Sequence, residues 1–107
     1  MRAALVATMC ILSTPAFADV IFEYENFQMT RTGAAELVLK FTNTGLETAT
    51  FAKAECAFLD EKRKAITVNP VIAQNLSPGG TGYAKTFGPK DRRIKHAECR
   101  IVDVDYR

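Results

Sequence analysis

The sequence predicts an all-β protein, folded as a single small antiparallel β-sandwich. Two observations lead to this fold class: turn-forming residues interrupt the chain at short intervals, and the segments between them alternate apolar with polar residues. A chain of 107 residues can bury one hydrophobic core and is too short for two. Its 48% hydrophobic and 24% charged residues are typical of a folded domain and argue against a disordered chain.

Residues 1–18 have the three parts of a secretory signal peptide. They begin with a short basic start, Met1-Arg2, continue with an apolar run over residues 3–12, and end in Ala16-Phe17-Ala18. Cleavage is therefore expected before Asp19, and the protein is expected in the periplasm or outside the cell. The apolar run is well short of the roughly 20 residues that span a bilayer, so we expect no membrane span.

Loss of the signal peptide leaves residues 19–107 as one domain and changes the cysteine count. Cys10 leaves with the signal, so Cys56 and Cys99 remain. Thiols are oxidised in exported proteins, and two cysteines have a single pairing, which predicts a disulfide between them. Closing a loop of about 43 residues in this way stabilises a small domain by roughly 4 kcal/mol. The alternative is a pair of separate buried thiols.

Turn-forming clusters divide the domain into short segments. Segments of this length between Gly, Pro, Asn, Asp and Ser residues favour strands over helices. The clusters are Arg31-Thr32-Gly33, Asn43-Thr44-Gly45, Asp60-Glu61-Lys62, Asn69-Pro70, Ser77-Pro78-Gly79-Gly80 and Gly88-Pro89.

Alternation with a period of two residues then assigns the faces of the strands. Past Ile101 the apolar positions change to Val102, Val104 and Tyr106, and one inserted bulge residue explains the change. The side chains expected to share a face are, strand by strand, Val20, Phe22 and Tyr24; Leu37, Leu39 and Phe41; Tyr83, Lys85 and Phe87; and Ala97, Cys99 and Ile101.

One segment is compatible with either type of secondary structure. Residues 47–65 are rich in Ala, Glu and Lys, and Phe51, Ala54 and Phe58 fall at helical spacing. A strand is favoured by Thr48 and Thr50, and by a continuous face with a period of two residues. We expect the strand, whereas a helix near residues 47–62 would make the fold α+β. The strand face consists of Thr50, Ala52, Ala54, Cys56 and Phe58.

Turn and strand motifs recur in a characteristic order along residues 37–45, 57–60 and 76–80. A strand that ends in Asn-Thr-Gly is followed by a strand that ends in an aromatic and an aliphatic residue before Asp, and then by a Leu-x-Pro-Gly turn. Over about residues 35–87 this order resembles the FxLYD-type immunoglobulin-like domains of exported bacterial proteins, with Cys56 at the position of the leading Phe and Leu59 at that of the Tyr. The resemblance implies an antiparallel immunoglobulin-like β-sandwich without enzymatic activity of its own.

The residue types that catalysis or metal binding needs are scarce, so no enzyme, cofactor or metal site is expected. Ser77 is the one Ser after the signal peptide and precedes Pro78 in a turn, so we interpret it as a turn residue rather than a nucleophile. A Cys99 nucleophile beside His96 needs a reduced thiol, which the disulfide removes. Outside that disulfide, His96 and Met29 are too few to hold zinc or copper. We expect His96 at a partly exposed strand end, with a pH-responsive contact as the alternative.

Two pairs of carboxylates lie two residues apart, Glu23 with Glu25 and Asp103 with Asp105. On a strand this spacing puts each pair on one face, about 7 Å apart, a separation that inverting glycosidases also use. A domain of this size rarely forms the cleft that a sugar chain needs. We therefore interpret the pairs as solvated faces of edge strands that discourage aggregation, with calcium binding as the alternative.

The one cluster of basic charge is the candidate anion-binding site. Lys90, Arg92, Arg93 and Lys95 follow Gly88-Pro89 and are expected in a loop, where they can hold phosphate or carboxylate groups. The formal net charge of +2 is small and no aromatic residue lies within the cluster, so nucleic acid is not an expected partner. The alternative is a solvated loop without a partner.

These features predict an exported, non-catalytic binding module of the bacterial envelope. Its expected partner is a protein or an anionic envelope polymer, bound through a sheet edge or the basic loop. The alternative function is a periplasmic inhibitor or structural accessory protein that occupies the cleft of a partner enzyme. A pull-down from an envelope extract separates the two functions, because an inhibitor retains one enzyme stoichiometrically whereas a polymer binder sediments with cell wall or lipid.

Overall fold

The computed structural model describes residues 19–107, which form β-strands joined by turns, with no helix among them. The all-β prediction is confirmed, and the segment for which a helix was the alternative is a strand. The predicted signal peptide lies outside the described residues. The strands are β1 (Val20–Met29), β2 (Ala34–Asn43), β3 (Ala49–Leu59), β4 (Ala65–Leu76), β5 (Thr81–Lys90) and β6 (His96–Tyr106).

The strands form two antiparallel sheets that pack face to face. Sheet A has the order β1-β2-β5 and sheet B has the order β4-β3-β6. The chain crosses between the sheets from β2 to β3, from β4 to β5 and from β5 to β6. This order corresponds to the A-B-E and C′-C-F strands of an immunoglobulin-like sandwich. The narrower resemblance to FxLYD-type domains stays a prediction.

The core lies between the two central strands, β2 and β3. Leu37, Leu39 and Phe41 of β2 are fully buried, as their alternation predicts. Large side chains from sheet A meet small ones from sheet B, which lets the two faces interdigitate. Burying one such Leu or Phe side chain contributes about 1.5–3 kcal/mol to folding. The fully buried inner face of β3 consists of Ala52, Ala54, Cys56 and Phe58.

Bulges in two of the four edge strands, β1 and β6, keep apolar side chains on the inner faces. In β6 the register passes from Ile101 to Asp103 along β3, so Val102 is the inserted residue, which confirms the predicted bulge. In β1 the register passes from Tyr24 to Asn26, so Glu25 is inserted, which the alternation did not predict. Each bulge shifts the alternation by one residue and brings the apolar positions that follow back toward the core.

Two of the predicted turn clusters are wrong, because they lie inside strands. Asn69-Pro70 falls in the middle of β4, where Pro70 is the partner of Glu55, and Gly88-Pro89 falls near the end of β5. Both strands lie at the edges of their sheets. A proline lowers stability little at an edge, because its nitrogen can face the side of the strand that has no partner strand. Lys90 is therefore the last residue of β5 rather than part of a loop.

The predicted disulfide between Cys56 and Cys99 is present, with an S–S distance of 2.06 Å. It joins the adjacent strands β3 and β6 within sheet B, whereas the disulfide of an immunoglobulin domain joins its two sheets. The two residues lie directly opposite each other with their Cα atoms 4.0 Å apart. Such a short distance is typical of an antiparallel pair without mutual backbone hydrogen bonds.

Candidate functional site

Two loops converge at one end of the sandwich. The loop over residues 60–64 joins β3 to β4, and the loop over residues 91–95 joins β5 to β6. They meet because the last residue of β3, Leu59, is the register partner of the first residue of β6, His96. The backbone N–H of Lys95 donates to the carbonyl of Leu59 at 2.8 Å. We call these two loops together the basic end.

The first loop is organised by the carboxylate of Asp60. One of its oxygens accepts hydrogen bonds from the backbone N–H groups of Lys62 and Lys64, each at 2.9 Å. The hydrogen bond from Lys64 is the main reason that the pKa of Asp60 lies below its usual value, and the bond from Lys62 lowers it further. The acid thus stabilises the turn of its own loop, while the side chains of Lys62 and Lys64 are exposed.

The second loop is organised by a bidentate ion pair between Asp91 and Arg93. The guanidinium donates to the two carboxylate oxygens at 3.0 and 2.7 Å, and the backbone N–H of Arg93 adds a third hydrogen bond at 2.9 Å. These contacts lower the pKa of Asp91 to about 2. Ile94, only 3% exposed, anchors the same loop in the core. Arg93 therefore shapes the loop and has part of its charge neutralised.

The structure brings three of the four predicted anion-binding residues to one open groove. Arg92, Arg93 and Lys95 line it, whereas Lys90 lies at the end of β5 and is not part of the lining. The groove has a volume of about 430 Å³. Its other lining residues, Asp60, Glu61 and Lys62, come from the facing loop.

Sequence reasoning missed the contribution of the first loop to this groove. Lys62-Arg63-Lys64 is a basic run in the sequence, but only Lys62 enters the sequence-based interpretation, as part of the Asp60-Glu61-Lys62 turn. Its proximity to residues 91–95 depends on the pairing of β3 with β6, which local patterns do not report. The sequence signal for this contribution is the basic run itself. It becomes informative only when the end of β3 is assumed to lie beside the start of β6.

Charge at the basic end is only partly compensated. Arg63 pairs with Glu98 at 2.6 Å and Arg93 pairs with Asp91. Among residues 19–107, four further cations of this end make no ion pair. The uncompensated cations are Lys62, Lys64, Arg92 and Lys95.

The remaining candidates lie elsewhere. His96 is the partly exposed first residue of β6, as predicted, and Asp103 and Asp105 are exposed on the same strand farther along. Glu23 and Glu25 are exposed on β1, with Glu25 at the bulge. Within the range 19–107, no group of three His, Cys, Asp or Glu residues is arranged to hold a metal ion.

Comparisons with known proteins support the fold. No protein-family model matches the chain, and no curated protein sequence matches it. The solved structure of IrmA from Escherichia coli is similar, with a TM-score of 0.61 and 8% sequence identity, over 82% of this chain and 76% of that chain. At this identity the likeness shows a shared β-fold and nothing about function.

Proposed function

We propose that the protein is an exported, non-catalytic binding module whose basic end contacts an anionic partner. The observation that carries this proposal is the convergence of uncompensated cations from two separate loops around one groove. Lys62 comes from the first loop, and Arg92 and Lys95 come from the second. The expectation of export rests on the signal-like residues 1–18 and on a disulfide that needs an oxidising compartment.

The chemistry of the groove suits phosphate or carboxylate groups. The planar guanidinium of Arg92 can donate two parallel hydrogen bonds to such a group, and Lys62 and Lys95 add ammonium charges on flexible stems. The loops themselves are held by Asp60, and by Asp91 with Arg93, so the cations need not organise the backbone.

An extended anion suits this surface better than a small one. Each exposed charge pair contributes little by itself, and charges are screened over about 8 Å at physiological ionic strength. A polymer or lipid surface with repeated anionic groups can engage several cations at once, so that small contributions add. We therefore favour an anionic envelope polymer as the partner. No helix in residues 19–107 is long and apolar enough to cross a membrane.

The test is retention of a double variant, Arg92→Gln with Lys95→Gln, on immobilised heparin and on lipopolysaccharide vesicles at low salt. We expect the variant to elute at a clearly lower salt concentration than the unmodified protein, with an unchanged melting temperature. The control, Lys40→Gln with Arg107→Gln, removes the same charge from outside the basic end. Equal losses in both variants would mean that net charge alone causes retention, and the proposal would be wrong.

The alternative function as an inhibitor or accessory protein stays a prediction from the sequence. Recovery of one enzyme in stoichiometric amount from an envelope extract would support it. Co-sedimentation with cell wall or lipid that the double variant loses would support the binding module.

A further inference from the structure

Strand β6 has an unpaired edge. It pairs with β3 on one side, and no strand of the described residues pairs with the other. Because Cys56 and Cys99 form a pair without mutual backbone hydrogen bonds, the N–H and C=O groups of Cys99 point away from β3. A hydrogen bond confirms the direction: the N–H of Cys99 donates to the hydroxyl of Tyr24 at 2.8 Å. By alternation, the backbone groups of Ala97 and Ile101 point to the same free edge.

The bulge at Val102 changes which backbone groups face outward in the second half of the strand. The carbonyl of Asp105 faces β3, where it accepts a hydrogen bond from the Thr50 hydroxyl at 3.2 Å. The backbone groups of Val104 and Tyr106 therefore face the free edge. After the bulge, the side chains of Val104 and Tyr106 also return to the inner face and pack against the core.

We propose that this free edge pairs with the same edge of a second copy of the chain. The two strands run antiparallel about a two-fold axis near Val102, in the register that sets Arg100 opposite Asp105 of the second copy. In this register Ile101 lies opposite Val104 of the second copy and Cys99 lies opposite Tyr106. Each of these contacts occurs twice, as two-fold symmetry requires.

This register pairs the free backbone groups of the two strands and also places their inward-facing side chains on the same side of the joined sheet. Ile101, Val104, Cys99 and Tyr106 all direct their backbone groups to the free edge, so they can form the hydrogen-bonded pairs of the new ladder. The same residues all have inward side chains, so the apolar faces of the two sheets become continuous. This agreement needs the bulge, because without it the residues paired in this register would point to opposite faces.

Charge selects the antiparallel orientation and the second copy as occupant. The outer face of β6 carries Glu98 and Arg100 in its first half, where Glu98 is paired with Arg63 of the same chain, and two acids in its second half, Asp103 and Asp105. Antiparallel self-pairing puts the cation of each copy opposite one acid and diagonal to the other, whereas a parallel arrangement aligns like charges. The Arg100 side chain is 80% exposed, and its contact with Glu55 is 3.8 Å long, so it can reach across the edge.

The proposal also accounts for the exposed side chain of Tyr24, an inner-face residue of β1. Tyr24 is 51% exposed, although it pairs with the inward-facing Leu39 of β2. It borders the opening between β1 and β6, where the second copy places its Tyr106 opposite Cys99. The hydroxyl of Tyr24 now holds the position that a carbonyl of the incoming strand takes, so Tyr24 releases Cys99 when the second copy binds.

The test is sedimentation velocity of the purified oxidised chain from micromolar to millimolar concentration. We expect a reversible dimer that weakens by about tenfold or more in Arg100→Asp and in Asp105→Arg, because each variant creates two like-charge contacts. The double variant restores opposite charges and should dimerise again, and an equimolar mixture of the single variants should form the mixed dimer. Lys64→Asp, a charge reversal beside the opposite edge of sheet B, is the control and should dimerise as the unmodified protein does.

A second measurement needs no variant. Hydrogen exchange at the amides of Ile101 and Val104 should slow as the chain concentration rises, because these N–H groups gain partners only in the dimer. A protein that stays monomeric at millimolar concentration overturns the proposal. The proposal is also overturned if both charge reversals leave the affinity of the dimer unchanged, or if hydrogen exchange at these amides is independent of chain concentration.

Discussion

The two long sides of the sandwich are closed to different degrees. On the β4–β5 side the sheets come together: the side-chain amide of Asn69 donates to the carbonyl of Phe87 at 2.6 Å, and Gly88 lies over the ring of Phe58. On the β1–β6 side, in the part of the chain that the structure describes, a single hydrogen bond from Cys99 to Tyr24 links the two edges. The aromatic side chains of β1 stay half exposed there.

The residues at the edges explain the difference. Pro70 in β4 and Pro89 in β5 have no N–H, so neither edge offers a complete ladder to a further strand. Gly88 allows a close approach of the sheets, because a Cβ at this position would lie 3.1 Å from Cγ of Phe58. Strand β6 contains neither Pro nor Gly. The β4–β5 side is thus closed by contacts within the chain, whereas on the β1–β6 side the backbone N–H and C=O groups of β6 remain available for pairing.

The largest expected effect comes from removing the covalent support of the open side. Replacing Cys56 and Cys99 together by Ala should lower the free energy of unfolding by about 2–5 kcal/mol, measured by guanidinium denaturation. Native-state hydrogen exchange should then show a greater loss of protection in β6 than in β5. A decrease below about 0.5 kcal/mol would show that the bond does not support this side.

A smaller effect is expected from forcing the closed side apart. Gly88→Ala puts a methyl group against the Phe58 ring and should lower the free energy of unfolding by about 1–3 kcal/mol. Thermal denaturation measures the change, and the neighbouring exposed Pro89→Ala serves as the control. A stability equal to that of the control would mean that the sheets can separate there without cost.

The smallest effect is expected where a single hydrogen bond joins the two sides. Tyr24→Phe removes the acceptor of the Cys99 N–H and should lower stability by about 0.5–1.5 kcal/mol, because water can replace the hydroxyl only in part. Exchange of the Cys99 amide should become faster at low chain concentration. Asn69→Ala removes the corresponding bond on the closed side and should leave that amide unchanged. Slow exchange in Tyr24→Phe would contradict the assignment of this hydrogen bond.

The parts of the fold that the sequence predicts correctly are those that local alternation determines. Strands β2 and β3 each bury one continuous face, so Leu37, Leu39 and Phe41, like Ala54 and Cys56, follow a period of two. The bulge at Val102 was also predictable, because the apolar positions change face there. A similar change from Tyr24 to Phe27 marks the bulge at Glu25, but the intervening polar residues hid it.

The errors come from information that only the tertiary fold supplies. A proline favours a turn when the sequence alone is considered. It fits equally well in an edge strand when its nitrogen points away from the neighbouring strand, so local patterns could not assign Pro70 and Pro89 to turns or to strands. The candidate site divides in the same way. Arg92 and Lys95 are neighbours in sequence and were found, whereas Lys62 reaches the same groove only through the pairing of β3 with β6.

The position of the disulfide gives the basic end a mechanical property. The bond between Cys56 and Cys99 closes the chain into a covalent ring, and both loops of the basic end lie inside it. A tensile force applied at the two ends of the domain is transmitted through the disulfide bond. The backbone between Cys56 and Cys99 therefore carries no load. Strands β1 and β2 and the far end of β6 can then unravel while the ring stays closed, so a partner held at the basic end does not pull its own binding loops straight.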